Sequence, residues 1–314
     1  MKTILVTGGG GFIGSHLCEK LLEQEYKVIC LDNFRTSKKR NIDELINNPN
    51  FRLIEADTRD VGVSNLPFSE KLDEIYDLAS PASVTYIMEH PVEVATVNAI
   101  GTKNMLDIAK SMGAKFLFAS TSEAYGDPKE HPQKESYWGN VNPIGARSGY
   151  DEGKRFGETL TMAYHREHGL DGKIVRIFNT YGPKSDPDDT RVIPQFVTNA
   201  LRSKPLPIHG DGMQTRSFCY VSDMVDGIIK MMNSDQIGPI NLGNPDEYKI
   251  IDVAKKIISL TSSTSKIEFV NRPPDDPSVR KPDISLAKQL LNWEPKIKLE
   301  EGLALTIEYF RSLL

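Results

Sequence analysis

Apolar positions along the chain follow two rhythms. Short β-branched runs at residues 2–7, 27–31, 51–55, 74–78 and 115–119 alternate with segments in which apolar residues recur at helical spacing. The clearest of these segments begin near Phe12, span about residues 91–112, and span 148–168. Such alternation predicts an α/β fold, with a doubly wound parallel sheet at its centre. Ligands of such sheets bind beyond the carboxyl ends of the strands, where Gly8, Asp32, Asp57, Ala79 and Ser120 fall. After Asn179 the pattern changes to short elements rich in proline and glycine, as in residues 184–190, 204–212 and 272–282. The expected organisation is a sheet domain over residues 1–178 with later interleaved segments at about 213–245. A smaller α/β substrate lobe occupies most of 179–314.

The first strand runs straight into Gly8, Gly11 and Gly14, with Phe12 and Ile13 opening the following helix. Glycines there let the backbone turn tightly and approach a pyrophosphate, which sits at the positive end of the helix. That is the Rossmann arrangement, although the spacing is G-x-x-G-x-x-G. No Lys-Ser/Thr pair closes the loop, so a nucleotide-hydrolysing phosphate loop does not fit. The second strand ends in Asp32, eighteen residues after Gly14, where a carboxylate accepts hydrogen bonds from an adenosine ribose. Asp32 favours NAD over NADP. The basic run Arg35, Lys38, Lys39 and Arg40 points the other way, or is simply a solvated helix start. Asn33, Asp57, Leu78, Ala79 and Ser80, at the ends of successive strands, complete the expected cofactor set.

Tyr150 and Lys154 sit four apart, hence on one helix face. A phenol is a poor base at neutral pH, and an ammonium one turn away favours its anion. Paired with a dinucleotide site, that spacing indicates redox chemistry on an alcohol. Thr121, Ser122 and Glu123 follow another strand; their hydroxyls can hold a substrate hydroxyl, and Glu123 is an acid or base if burial raises its pKa.

Composition adds limits. The chain has 314 residues and a formal charge of -5, which gives no reason to expect nucleic acid or an anionic membrane as partner. Cys18, Cys30 and Cys219 form no C-x-x-C pair and read as small buried hydrophobes in a reducing cytosol. No apolar stretch approaches a membrane span, so a soluble cytoplasmic protein is expected. His165 and His168 lack a carboxylate or cysteine cluster, so no metal site is expected.

Gly8 to Gly14, Ser120 to Glu123 and Tyr150 to Lys154 resemble the extended short-chain dehydrogenase/reductases that act on nucleotide sugars. Leu78-Ala79-Ser80-Pro81-Ala82-Ser83, Tyr150-Asp151-Glu152-Gly153-Lys154-Arg155, Gln214-Thr215-Arg216 and Asp275-Asp276-Pro277 through Arg280-Lys281-Pro282 are similar, more narrowly, to the UDP-glucuronate decarboxylases. The resemblance implies NAD as cofactor and UDP-glucuronate as substrate, with a UDP-4-keto intermediate and UDP-xylose as product. It implies Tyr150 as base, Lys154 on the nicotinamide ribose, and Thr121 and Ser122 holding the sugar. Glu123 and Arg216 would act in decarboxylation, Ser83, Asn179 and Arg280 would bind substrate, and Arg191 would reach the cofactor from the second lobe. It also implies a homodimer through the helices at 91–112 and 148–168. Where the family commonly has Lys-Thr-Asn this chain has Thr96-Val97-Asn98, and before the tyrosine it has Gly149 rather than a bulkier residue. A 4-epimerase or 4,6-dehydratase of the same superfamily, or a non-catalytic NAD sensor, are the alternative readings.

Overall fold

The computed structural model describes residues 1–271 and 280–314, so the Asp275-Asp276-Pro277 string lies outside the described residues. Seven strands form the central sheet: β1 (Thr3–Thr7), β2 (Lys27–Asp32), β3 (Phe51–Glu55), β4 (Glu74–Asp77), β5 (Lys115–Thr121), β6 (Gly172–Ile177) and β7 (Ile240–Leu242). Their order is β7-β6-β5-β4-β1-β2-β3, and every pairing is parallel. The chain winds outward in both directions from β1 and β4, which leaves a crevice at their carboxyl ends. Both sheet faces are covered, which is why β1 is buried at every position and shows no polar alternation.

The helices are α1 (Phe12–Glu23), α2 (Val84–Glu89), α3 (Pro91–Thr96), α4 (Thr102–Met112), α5 (Ser148–His168), α6 (Val192–Leu201), α7 (Val221–Met232), α8 (Ile250–Thr261), α9 (Ser285–Leu291) and α10 (Leu299–Leu313). Leu17 of α1 and Met224 of α7 share a core with Ile4 and Val6. Met105 and Leu106 of α4 pack with Leu5, Ile75 and Phe116 on the opposite face. After residue 179, α6, α8 and α10 pack on one another, beside a parallel pair of strands at Leu206–His209 and Ile267–Val270.

Two local features differ from the sequence expectation. The segment 91–112 is not one regular helix, because a π-turn at Val97–Gly101 separates α3 from α4. There the Asn98 side chain donates to the Val94 carbonyl at 2.9 Å, and a Cβ on Gly101 would lie 2.3 Å from the Thr58 hydroxyl. Strand β5 extends through Thr121, so the threonine hydroxyl is presented by the sheet itself. The absence of a bulky residue at 149 has a steric cause: a Cβ on Gly149 would come within 2.7 Å of the Pro91 carbonyl where α5 crosses α3.

Candidate active site

The glycine turn is built by close approach. Gly8 has φ +66°, and a Cβ on Gly14 would stand 2.1 Å from the Gly8 carbonyl, so α1 can start only where the side chain is hydrogen. Asp32, at the end of β2, accepts from the Gly10 amide at 2.9 Å, the Phe34 amide at 2.8 Å and the Ser37 hydroxyl at 2.7 Å. A carboxylate has about four acceptor positions, so one is left for a ribose hydroxyl. Asp57 is gripped by Arg59 and Asn33 and falls to about 2, chiefly through the Arg59 hydrogen bond. The buried Ser80 hydroxyl has no partner among the described residues. A bare glycine cradle, a spare carboxylate position and an orphan hydroxyl in one cavity are what a dinucleotide fits.

That cavity, of about 990 Å³, is lined by every residue that the sequence singled out for cofactor, substrate or chemistry. Tyr150 and Lys154, only 8% and 4% exposed, face it from the first turns of α5. Burial, with Glu123 and Asp151 nearby, pushes the Tyr150 phenol up to about 12, against the opposing influence of Thr121. The expected pull of Lys154 on the phenol is therefore not the governing influence in the protein alone. Lys154 instead donates to the Ala119 carbonyl at 2.8 Å and stands 4.8 Å over the Phe118 ring, and burial brings it down to about 8. Arg191 lends Tyr150 an opposing positive charge while bonded to Asp189 at 2.6 Å.

The condition set for Glu123 as an acid or base, that burial raise its pKa, is not met. Desolvation does act that way, but the charges of Arg280, Arg147 and Arg216 outweigh it and the carboxyl lies below its ordinary value. Arg147 donates to its Oε2 at 3.0 Å and Arg280 to the same oxygen at 3.2 Å, while Arg280 also donates to the Ser122 carbonyl at 2.6 Å. Arg280, expected to bind substrate, is 2% exposed and spends these donors on the loop after β5. Arg216 donates to the Thr215 carbonyl at 2.9 Å and reaches Glu123 through its charge. Asn179 and Ser83 line the cavity, the latter at the start of α2. Thr96, where the resembling family commonly has lysine, is absent from the cavity wall; its hydroxyl bonds Val92, Glu93 and Arg59.

Sequence reasoning missed Arg147 and Asp151. Arg147 caps α5, three residues before Tyr150, a spacing that puts both at one helix end. Asp151 has a buried Oδ1 with no hydrogen-bond partner among the described residues and is raised to about 7, by burial first and by Glu123 second.

A model of the GDP-mannose 4,6 dehydratase family matches residues 5–306. UDP-glucuronic acid decarboxylase 6 of Arabidopsis thaliana is 53% identical over 309 residues, 98% of this chain and 88% of that protein. UDP-glucuronic acid decarboxylase 1 of Xenopus tropicalis is 49% identical over 313 residues, 100% of this chain and 73% of that protein. Among solved structures, UDP-glucuronic acid 4-epimerase from Bacillus cereus, in complex with UDP-glucuronic acid and NAD, superposes with TM-score 0.90 at 32% identity, covering 99% of this chain and 100% of that one. UDP-glucose 4-epimerase from Thermotoga maritima with UDP-glucose gives TM-score 0.92 at 32% identity, covering 99% of each chain.

Proposed function

This chain belongs to the UDP-glucuronic acid decarboxylases of the extended short-chain dehydrogenase/reductase family, and from that premise we propose that it converts UDP-glucuronate to UDP-xylose and carbon dioxide. NAD is the cofactor; it supplies a hydride acceptor that is returned as a donor within one turnover. The observation that carries the reading is the Glu123 cluster: one carboxylate among Arg147, Arg216 and Arg280, beside Tyr150 and Thr121. Three cations against Glu123 and an Asp151 raised to about 7 leave a positive excess suited to a sugar that itself carries a carboxylate.

In this reading Thr121 and Ser122 hold the sugar and the Tyr150 oxygen takes the proton of the C4 hydroxyl. A ketone at C4 is β to the C5 carboxylate, so the carbon–carbon bond to carbon dioxide can break with its electron pair delocalised onto the ketone oxygen. Arg216 orients the departing carboxylate, and ionised Glu123 favours its loss by repulsion. C5 then gains a proton and the ketone is reduced. Ser83 and Asn179 contact the nucleotide part, and Arg191, Asp32, Asn33 and Asp57 hold the cofactor. The division into a cofactor domain over 1–178, with segments at about 213–245, and a sugar-binding lobe over 179–314 belongs to the same proposal. Incubation with UDP-glucuronate and NAD tests it: carbon dioxide and UDP-xylose should appear together, and their absence would refute it.

NAD should bind in clear preference to NADP. Asp32 presents a like charge to a 2′-phosphate, and the basic run is already engaged, with Lys38 on Asp186 at 3.1 Å, Lys39 on Glu55 at 2.7 Å and Arg35 near Glu93 at 3.9 Å. Competitive binding should favour NAD by at least about tenfold; equal affinity would mean that Arg35 or Lys38 overrides Asp32.

A homodimer and a cytoplasmic setting complete the proposal. Val92, Ile100 and Phe156 are 75%, 49% and 48% exposed on α3, the π-turn and α5, an apolar surface that a second copy would cover. Sedimentation at micromolar concentration should give twice the chain mass, and a monomer there refutes the dimer. Three buried free cysteines support a reducing compartment, and no described helix is long and apolar enough to cross a membrane.

A further inference from the structure

Thr7, Asp77 and Phe118 are register partners across β1, β4 and β5. Partners in a parallel ladder project to the same sheet face, here the face covered by α4 and α5. The Lys154 ammonium stands 4.8 Å over the Phe118 ring on that face. Asp77 is 3% exposed; its Oδ1 accepts from the Thr7 hydroxyl at 2.7 Å, and its Oδ2 is buried with no hydrogen-bond partner among the described residues. A carboxylate oxygen left open on the same buried face as an ammonium is costly to desolvate alone, and a cation on that face offsets part of the cost.

We propose that Asp77 is the counter-ion of Lys154, a positioning residue beneath the active site that keeps the ammonium charged where burial would otherwise neutralise it. The charges around both groups agree. Burial lowers Lys154 to about 8, and of the groups that raise it again Asp77 comes first and Glu158, one turn along α5, second. Burial raises Asp77; the Thr7 hydrogen bond, the Lys154 charge, the Thr102 hydroxyl of α4 and the Ala79 amide lower it. Lys154 otherwise meets the Ala119 carbonyl and the Phe118 ring of β5, neither of which carries charge. The consequence is functional: Lys154 must hold its proton through the working pH range to present a cation under the cofactor and beside Tyr150. The inference builds on the assigned Tyr150–Lys154 chemistry but not on which nucleotide sugar is used.

The test is carbon-13 NMR of protein labelled at lysine Cε, with Lys154 identified by the signal lost in Lys154→Arg. Asp77→Asn, nearly isosteric, should move the Lys154 midpoint down by about one pH unit or more. The alkaline arm of the kcat profile should move the same way, because an unpartnered ammonium gives up its proton earlier as pH rises. A midpoint unchanged within 0.2 unit, roughly the resolution of a titration, overturns the proposal. If the variant does not fold, wild-type protein labelled at aspartate Cγ decides. An Asp77 carboxyl ionised at pH 6 to 8, shifting as Lys154 titrates, supports the pair; one protonated over roughly that range overturns it. Since both spectra are read without sugar, a wrong substrate assignment would leave them intact.

Discussion

Tyr150→Phe lowers turnover by about two to four orders of magnitude and leaves nucleotide-sugar binding nearly unchanged. The substitution removes one oxygen from a side chain that is 8% exposed. The ring remains packed against Ile87 and Val94, so the fold and the cavity wall stay in place. What is lost is the oxygen proposed to receive the C4 hydroxyl proton. Because burial pushes the phenol up to about 12, the native proton transfer already works against desolvation. Glu123 does not replace it, since Arg147 and Arg280 engage its carboxylate. Single-turnover rates and titration of UDP-glucuronate on both proteins check this; a variant keeping more than about a tenth of the rate would remove Tyr150 from the role of base.

Glu123→Gln separates the two halves of the reaction. Hydride removal at C4 depends on Tyr150 and Lys154, whereas carboxylate loss and reprotonation occur at C5. Gln keeps the shape and one hydrogen-bonding oxygen but discards the negative charge that three arginines hold ionised. Without it the guanidiniums grip the substrate carboxylate with no opposing repulsion, and its departure slows by about a hundredfold. Arg216→His weakens the same field from the other side and should lower carbon dioxide release as well. In both variants the reduced cofactor should accumulate transiently, visible by absorbance. Loss of cofactor reduction together with carbon dioxide would instead place Glu123 in the oxidation step.

The sequence carried the parts that depend on local pattern. β-Branched runs, the glycine spacing and the Asp32 interval were sufficient for the parallel sheet and for the end of it where ligands bind, because strand, turn and helix are written in contiguous residues. Tyr150 and Lys154 were readable for the same reason. What escaped was set by approach between distant segments. Arg147 reaches a carboxylate 24 positions away and Arg280 one 157 positions away, so neither contact has a periodicity to betray it. The sign of the Glu123 shift follows from those contacts, and so stayed open in the sequence. The high pKa of Tyr150 was missed because spacing reveals that Lys154 shares its helix face but not that the ammonium turns down onto Ala119 and Phe118. The π-turn at Val97–Gly101 arises where Gly101 must pass Thr58, a contact outside the helix.

Carbon dioxide, UDP-xylose and cofactor absorbance followed together in wild-type protein given UDP-glucuronate and NAD bear most directly on the decarboxylase assignment. Equal amounts of carbon dioxide and UDP-xylose, with no net cofactor reduction at completion, are expected. Interconversion or dehydration of the sugar with no carbon dioxide released would contradict it, whatever the geometry around Glu123.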